Sequence, residues 1–180
     1  MKHIFLVTGN ANKLAEWRRL LPADIQIDSV DVDLPEIQSM DPEEIVADKA
    51  KRAYAIVGKP VVVEDVSAGL YKLNGLPGPF IKFFIKSLGE TALFQLAEHE
   101  GDAATVSCAI AYYDGKDLIT VKGDVSGTVV EGRGENGFGF DKTFIPAGQT
   151  STYAEMTSEQ KDTVSHRSRA IGLFVEAITA

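Results

Sequence analysis

The chain of 180 residues carries one cysteine, Cys108. One thiol cannot close an internal disulfide, and it excludes a metal centre built from several cysteines. Cys108 stands in the alternating apolar run 105–113, so it reads as a buried core thiol, and a reducing, cytoplasmic compartment follows. No apolar run approaches the roughly 20 residues that cross a bilayer. The opening string Met1-Lys2-His3-Ile4-Phe5-Leu6-Val7 is basic and then apolar, but it stops at Thr8-Gly9-Asn10, too early for a signal-peptide core. A buried first strand is the expectation. Internal repeats, low-complexity tracts and long linkers are absent, which removes repeat architectures and disordered arrays. Positive charge is scarce: 18 Lys and Arg against 26 Asp and Glu give a formal net charge of −8. Nucleic-acid binding needs a basic surface and is excluded, and no membrane partner is expected. An acidic chain still binds a nucleotide where a few cations converge and a metal helps.

What is present suits a globular chain folding as a single domain over residues 1–180, long enough to bury a core without staples. Strands are predicted over residues 4–7, 25–32, 61–63, 105–113, 117–122 and 124–130. Helices are predicted over 14–21, stopped by Pro22, and from the cap Asp41 through Pro42 to about Val57, before Gly58. Further helices fall at 80–87 and 91–98, and a last one starts at the Thr157/Gln160 capping box and ends near Ile178. The β-branched triplet Val61-Val62-Val63 ends directly in Glu64-Asp65, so the strand should deliver two carboxylates at its C-terminal end. Loops are expected over 33–40, 75–79 and 132–139. Early alternation of strand and helix, then hairpins, predicts an α/β fold with a mixed, twisted sheet and helices packed around it.

Four stretches carry candidate chemistry. Thr8-Gly9-Asn10-Ala11-Asn12-Lys13 lies between a predicted strand and a predicted helix. Gly9 lets the backbone approach a ligand, a helix N-terminus offers free amides to a phosphate, and Lys13 adds formal charge. The string is not a Walker A loop; it also reads as an ordinary turn with Asn10 or Asn12 as helix cap. Glu64-Asp65, with Glu36 as a distant partner, offers the carboxylate oxygens that Mg2+ prefers, and a carboxylate there can also deprotonate a water. A solvated strand end is the plain alternative. Asn136-Gly137-Phe138-Gly139-Phe140-Asp141 places rings between glycines, where one could stack on a flat base or cover a small cluster. Lys161 with Ser165-His166-Arg167 gathers basic donors, Lys161 and Ser165 being spaced to share one helix face. A Ser-His-Asp triad is disfavoured, because Ser165 and His166 are adjacent and no nucleophile elbow is present. Lys49 and Lys82 carry no signal of their own.

Taken in order, several strings resemble the inosine triphosphate pyrophosphatase family over residues 4–174. They are T-G-N-A-N-K at 8–13, D-L-P-E around Glu36, V-E-D at 63–65, G-L-P-G-P-F-I-K ending at Lys82, F-G-F-D at 138–141, T-Y-A-E-M at 152–156 and S-H-R at 165–167. The resemblance implies an elongated two-lobed α/β fold with a long central mixed sheet and an active-site cleft between the lobes. It also implies a homodimer and Mg2+, with Mn2+ as a substitute. The implied activity is hydrolysis of inosine, deoxyinosine and xanthosine triphosphates to the monophosphate and pyrophosphate. In that family pattern Thr8 to Lys13 cradle the triphosphate, Glu36 and Asp65 bind the metal, and Asp65 is the base for water. Lys13 joins Asp65 in catalysis, while Lys49, Lys82 and Lys161 hold phosphates or position the nucleotide. Phe138 stacks on the base beside Gly139, Phe140 and Asp141, His166 and Arg167 read the base edge, and Ser165 is a further substrate-binding residue. The chain departs from the pattern at Val66, where many members carry Ser or Thr and where substrate contact falls to the backbone amide. Phe140 stands in place of a common Trp or Tyr, and Lys142 in place of a common Pro. Two rival readings are a pyrophosphatase of the same fold for modified pyrimidine nucleotides and a purine nucleotide sensor without turnover.

Overall fold

The structure, a computed structural model, describes residues 2–179; Met1 and Ala180, the ends of the expected single domain, lie outside the described residues. The chain runs β1 (Lys2–Val7), α1 (Ala11–Leu20), β2 (Ile25–Val30), α2 (Pro42–Val57), β3 (Val61–Leu70), β4 (Pro77–Gly78), α3 (Ile81–Leu88), α4 (Ala92–Gln95), β5 (Ala103–Tyr113), β6 (Leu118–Val129), β7 (Phe144–Pro146), α5 (Ser158–Val164) and α6 (His166–Thr179). Among the described residues seven strands form one sheet in the order β2-β1-β3-β5-β6-β7, with β4 paired to β3. β1 is parallel to β2 and β3, whereas β4 is antiparallel to β3 and β7 to β6. The mixed α/β sheet expected from the alternation of elements is therefore present. Among the described residues no helix is long and apolar enough to cross a membrane.

The chain divides into two compact units. The first comprises Met1–Asp65, Cys108–Gly123 and Arg169–Ala180, and the second Val66–Ser107 and Asp124–Ser168. In the first, α2 lays Val46, Ala50 and Ala53 against Val61 and Val63 of β3, with Val7, Ala109 and Ala111 completing the core. The spacing of those α2 residues is that of one helix face. The Asp41 side chain accepts from the Glu43 amide at 2.9 Å, Pro42 opens the helix, and Gly58 ends it at φ 66°. On the other side of β3, Trp17 of α1 is fully buried, edge-on to Phe174 of α6 with centroids 5.7 Å apart. The second unit is built on Leu70, Leu93, Val106, Val129, Phe140, Phe144 and Tyr153.

Several expectations are corrected. β3 does not stop at Val63 but continues to Leu70. Ala68 and Gly69 find antiparallel partners in Gly78 and Pro77 of β4, inside what was expected to be a loop. Glu64 and Asp65 consequently stand in mid-strand, facing opposite sides of the sheet. Residues 117–122 and 124–130 are one strand, β6, because Gly123 weakens an extended ladder without ending it. The Thr157/Gln160 capping box is present, but it heads only α5; the chain turns extended at Ser165 (φ −84°, ψ 155°) and restarts as α6. Lys161 and Ser165 therefore do not share a helix face. The helix expected at 91–98 shrinks to α4, and β2 ends at Val30.

β4 reaches β3 only because position 69 has no side chain: a Cβ there would overlap the carbonyl oxygen of Gly75. Gly69→Ala should lower unfolding free energy by about 3 kcal/mol, the upper range for overpacking, as read by urea denaturation; an unchanged midpoint would contradict this packing.

Candidate functional site

In the first unit a cavity of about 210 Å³ is lined by Thr8, Gly9, Lys13, Glu36, Lys49 and Glu64, with Val7, Val32, Asp33 and Leu34 completing the wall. Parallel pairing of β1 with β2 and β3 brings the end of β1 beside β3, and α1 and α2 each place one lysine at the opening. Asn10 caps α1: its Oδ1 accepts from the Asn12 amide at 2.9 Å and the Lys13 amide at 3.3 Å, while its own amide donates to Thr8 Oγ1 at 3.1 Å. Two amides expected to be free for a phosphate are thus taken by the cap. Positive charge at this corner comes from Lys13 Nζ, 3.0 Å from Glu64 Oε1. Ala11 and Asn12 are exposed on the first turn.

Glu64 is buried, and its second oxygen, Oε2, accepts from the Trp17 indole Nε1 at 2.7 Å, with Cys108 Sγ at 3.9 Å. Lys49 Nζ donates to Glu36 Oε1 at 2.7 Å. Burial pushes the Lys49 ammonium below the usual lysine value of 10.5; the Asp65 carboxylate works against that shift, Lys13 adds to it, and Glu64 opposes it. Asp65 is itself buried, and its negative charge reaches the Lys49 ammonium at the cavity. Val66, next along the strand, packs its side chain against the core of the second unit, so a hydroxyl is not needed there for packing. Cations and carboxylates thus alternate around one small cavity. Among the described residues no three His, Cys, Asp or Glu side chains converge on a common metal position. A Mg2+ ion keeps several waters and takes ligands from substrate phosphates, so one or two carboxylates suffice.

In the second unit the loop 136–141 is organised by Asp141. Its buried Oδ2 accepts from the Phe138 amide at 2.9 Å and from Lys161 Nζ at 2.7 Å. Gly137 holds φ 78°, where a Cβ would also overlap that carboxylate, so glycine is required. Asn136 ties the loop to the segment before α5, its amide donating to Ala154 O and its Nδ2 to Met156 O. Phe138 is half-buried, with Lys161 Nζ 5.2 Å and Arg167 Cζ 5.6 Å from its ring centroid. Arg167 and His166, the first residues of α6, are both buried, and the imidazole lies 5.6 Å from the Phe140 ring and 5.8 Å from that of Tyr153. Phe140 is a core residue packed on Phe144, and Ser165 caps α6, its Oγ accepting from the Ser168 amide at 3.1 Å. α3 runs beside the loop, since a Cβ at Gly139 would lie 3.8 Å from Ile85 Cδ1. Lys82, also on α3, is exposed, its Nζ 5.1 Å from the Phe83 centroid.

Residues 4–177 match the model of the Ham1 family. The chain belongs to the Ham1 family. It is 44% identical over 172 residues to the inosine triphosphate pyrophosphatase of Yarrowia lipolytica, covering 93% of this chain and 91% of that one. It is 41% identical to the enzyme of the same name from Schizosaccharomyces pombe, covering 93% and 90%. Among solved structures it superposes on a HAM1 protein from Coxiella burnetii with a TM-score of 0.85, 27% identity and 99% of each chain covered. A dITP/XTP pyrophosphatase from Mycobacterium abscessus gives a TM-score of 0.72 and 28% identity, over 96% of this chain and 98% of that one.

Sequence reasoning missed Trp17 and the indole bond it makes to Glu64, a pairing separated by 47 positions that no local motif announces. It also missed the capping box formed by Thr152 and Glu155 inside T-Y-A-E-M, which the T-x-x-E spacing could have revealed.

Asp141→Asn would leave the Lys161 ammonium buried without its anion and remove the acceptor's charge from the Phe138 amide. Breaking a buried pair this way should cost about 3 kcal/mol, measured by urea denaturation. Wild-type stability in that variant would show that the loop is held by other contacts.

Proposed function

We propose that this chain hydrolyses non-standard purine nucleoside triphosphates, with inosine, deoxyinosine and xanthosine as the nucleosides, to the monophosphate and pyrophosphate. The observation that carries this reading is the ring of Lys13, Glu64, Lys49 and Glu36 around one cavity beside Gly9. The names of its relatives support the same chemistry. Lys13 and Lys49, with the 8–12 turn, would take the phosphates. Glu36 and Asp65 would hold Mg2+, or Mn2+ in its stead; their oxygen donors suit a hard cation, which when bound supplies positive charge to phosphate oxygens. Asp65 would remove the proton from a water that attacks the α-phosphorus, and pyrophosphate leaves. Negative charge builds on the phosphate oxygens during that step, so two partly buried ammonium groups stabilise it more than they would in water.

For the base, the ring of Phe138 offers a stacking face, with Lys82, Lys161 and Asp141 as positioning groups and Arg167 and His166 as donors. A buried donor aimed at the 6-keto oxygen of hypoxanthine or xanthine would meet the adenine amino group unmatched, at a cost of about 1–3 kcal/mol. A homodimer belongs to this reading through the resemblance alone, and a cytoplasmic location through the single thiol, Cys108.

The test is pyrophosphate release from inosine, xanthosine, guanosine, adenosine and deoxyuridine triphosphates, with and without Mg2+. Fast, Mg2+-dependent release from the first two is expected. Release from deoxyuridine triphosphate instead would favour the pyrimidine reading, and tight binding without release would favour the sensor. Asp65→Asn should lower turnover by at least ~100-fold, the range for a lost general base; near-normal turnover would remove Asp65 from the mechanism. Lys49 gives a pH prediction. Its proton is lost below the ordinary lysine value of 10.5, so kcat/KM should fall on an alkaline limb lying below 10.5. The unfolded chain holds that proton more tightly, so the burial cost is present below the folded pKa and is relieved as pH climbs towards 10.5. Lys49→Arg, which stays charged, should abolish that limb; an unchanged limb would assign it to another group.

A further inference from the structure

We propose that Trp17 is a positioning residue for Lys13, acting through Glu64; this rests on the proposed phosphate chemistry of the cavity. Trp17 is the chain's one tryptophan, and its indole is fully buried. A buried indole N–H needs an acceptor, and here the acceptor is the carboxylate that pairs with Lys13. The two Glu64 oxygens divide the work: Oε2 takes Trp17 Nε1 at 2.7 Å and Oε1 takes Lys13 Nζ at 3.0 Å. The Cys108 thiol, 3.9 Å from Oε2, adds a weak donor on the same oxygen. The indole bond restrains the carboxylate about its last torsion, which is broad for glutamate. With one oxygen fixed, the other presents to Lys13 from one direction only.

Lys13 needs that constraint. Its stem is flexible, and its side chain is 22% exposed at the cavity wall, so solvent alone would let the ammonium wander. Asn10 fixes the Lys13 backbone through the helix cap, but nothing in that cap fixes Nζ. Trp17 follows Lys13 by one helical turn, so donor and cation sit on the same face of α1 and share one acceptor. α1 thus carries the lysine together with its own alignment device, and β3 supplies the carboxylate between them. A phosphate arriving at Lys13 would find the ammonium already aimed, which lowers the ordering cost of the transition state.

Trp17→Phe removes the N–H and keeps a ring against Phe174. It should reduce kcat/KM for inosine triphosphate roughly 10-fold, the scale of one hydrogen bond to a charged group, with most of the loss in kcat. In a Lys13→Ala background the same change should have no further effect, because a residue acting through Lys13 has nothing left to position. Full activity in Trp17→Phe, or losses that multiply in the double variant, would overturn the inference. A packing defect would multiply and would not lie mainly in kcat. The single indole supplies a second readout that does not depend on Trp17→Phe folding. Titration of the wild type with Mg2+ and pyrophosphate should change the intrinsic tryptophan emission, and Lys13→Ala should abolish that change. An emission unmoved at saturating pyrophosphate, with binding verified by calorimetry, would overturn the inference as well. The two failures are distinguishable: absence of pyrophosphate release from every triphosphate by the wild type sinks the proposed function, whereas wild-type turnover with an indifferent Trp17 sinks only this inference.

Discussion

Two neighbouring carboxylates buried in the middle of a strand are the constraint on which the rest of the first unit depends. An isolated ionised carboxylate is too costly to bury, and it is retained only where cations and donors meet it. β3 carries Glu64 and Asp65 to opposite faces, so each face must supply its own compensation. On one face α1 brings Lys13 and Trp17 to Glu64; on the other, Lys49 of α2 sits in the field of Asp65. Two lysines that would otherwise extend into solvent are thereby drawn to one cavity. The pairing is exchangeable. A triphosphate can replace the carboxylates as partner of the lysines, and a divalent cation can replace the lysines as partner of the carboxylates. Substrate and metal arriving together leave no charge stranded, which is the physical sense in which this cavity is suited to a metal-nucleotide complex.

The second unit applies the same rule once more. Asp141 is a buried anion, and the loop 136–141 is shaped around it: the Phe138 amide, the Lys161 ammonium and the side-chain-free Gly137 all converge on Oδ2. The consequence is a ring, Phe138, held half-open between two cations, while Phe140, two positions on, is committed to the core. Alternation along F-G-F-D separates a surface able to receive a flat aromatic group from a residue that anchors it.

Much of this was legible in the sequence where the determinants are local. The Asp41–Pro42 start and the Gly58 stop of α2 are written in adjacent residues, and α2 has those bounds. The string T-G-N-A-N-K was readable both as a phosphate turn and as a capped helix start. The structure makes Asn10 the cap and leaves Lys13 as the charge. What was not legible depends on distant partners. β3 runs on past Asp65 beside β5, and its last residues also pair with β4, a two-residue strand within a stretch that looks like pure turn. The division of the last helix is local by contrast, Ser165 Oγ accepting from the Ser168 amide as a cap, but S-H-R was read as a basic cluster and not as a helix start. Ser165 and Phe140, grouped with the substrate contacts by motif, have structural employment that a motif cannot disclose. Glu64 carried no more sequence signal than Asp65, and only the fold shows that Glu64 lines the cavity and pairs with Lys13.

The central claim is that water attacks the α-phosphorus of a nucleoside triphosphate. Turnover of inosine triphosphate in 18O-labelled water, followed by mass spectrometry of the products, tests it most directly. The account predicts the label in the nucleoside monophosphate and none in pyrophosphate. Label in pyrophosphate, or release of labelled orthophosphate, would contradict it.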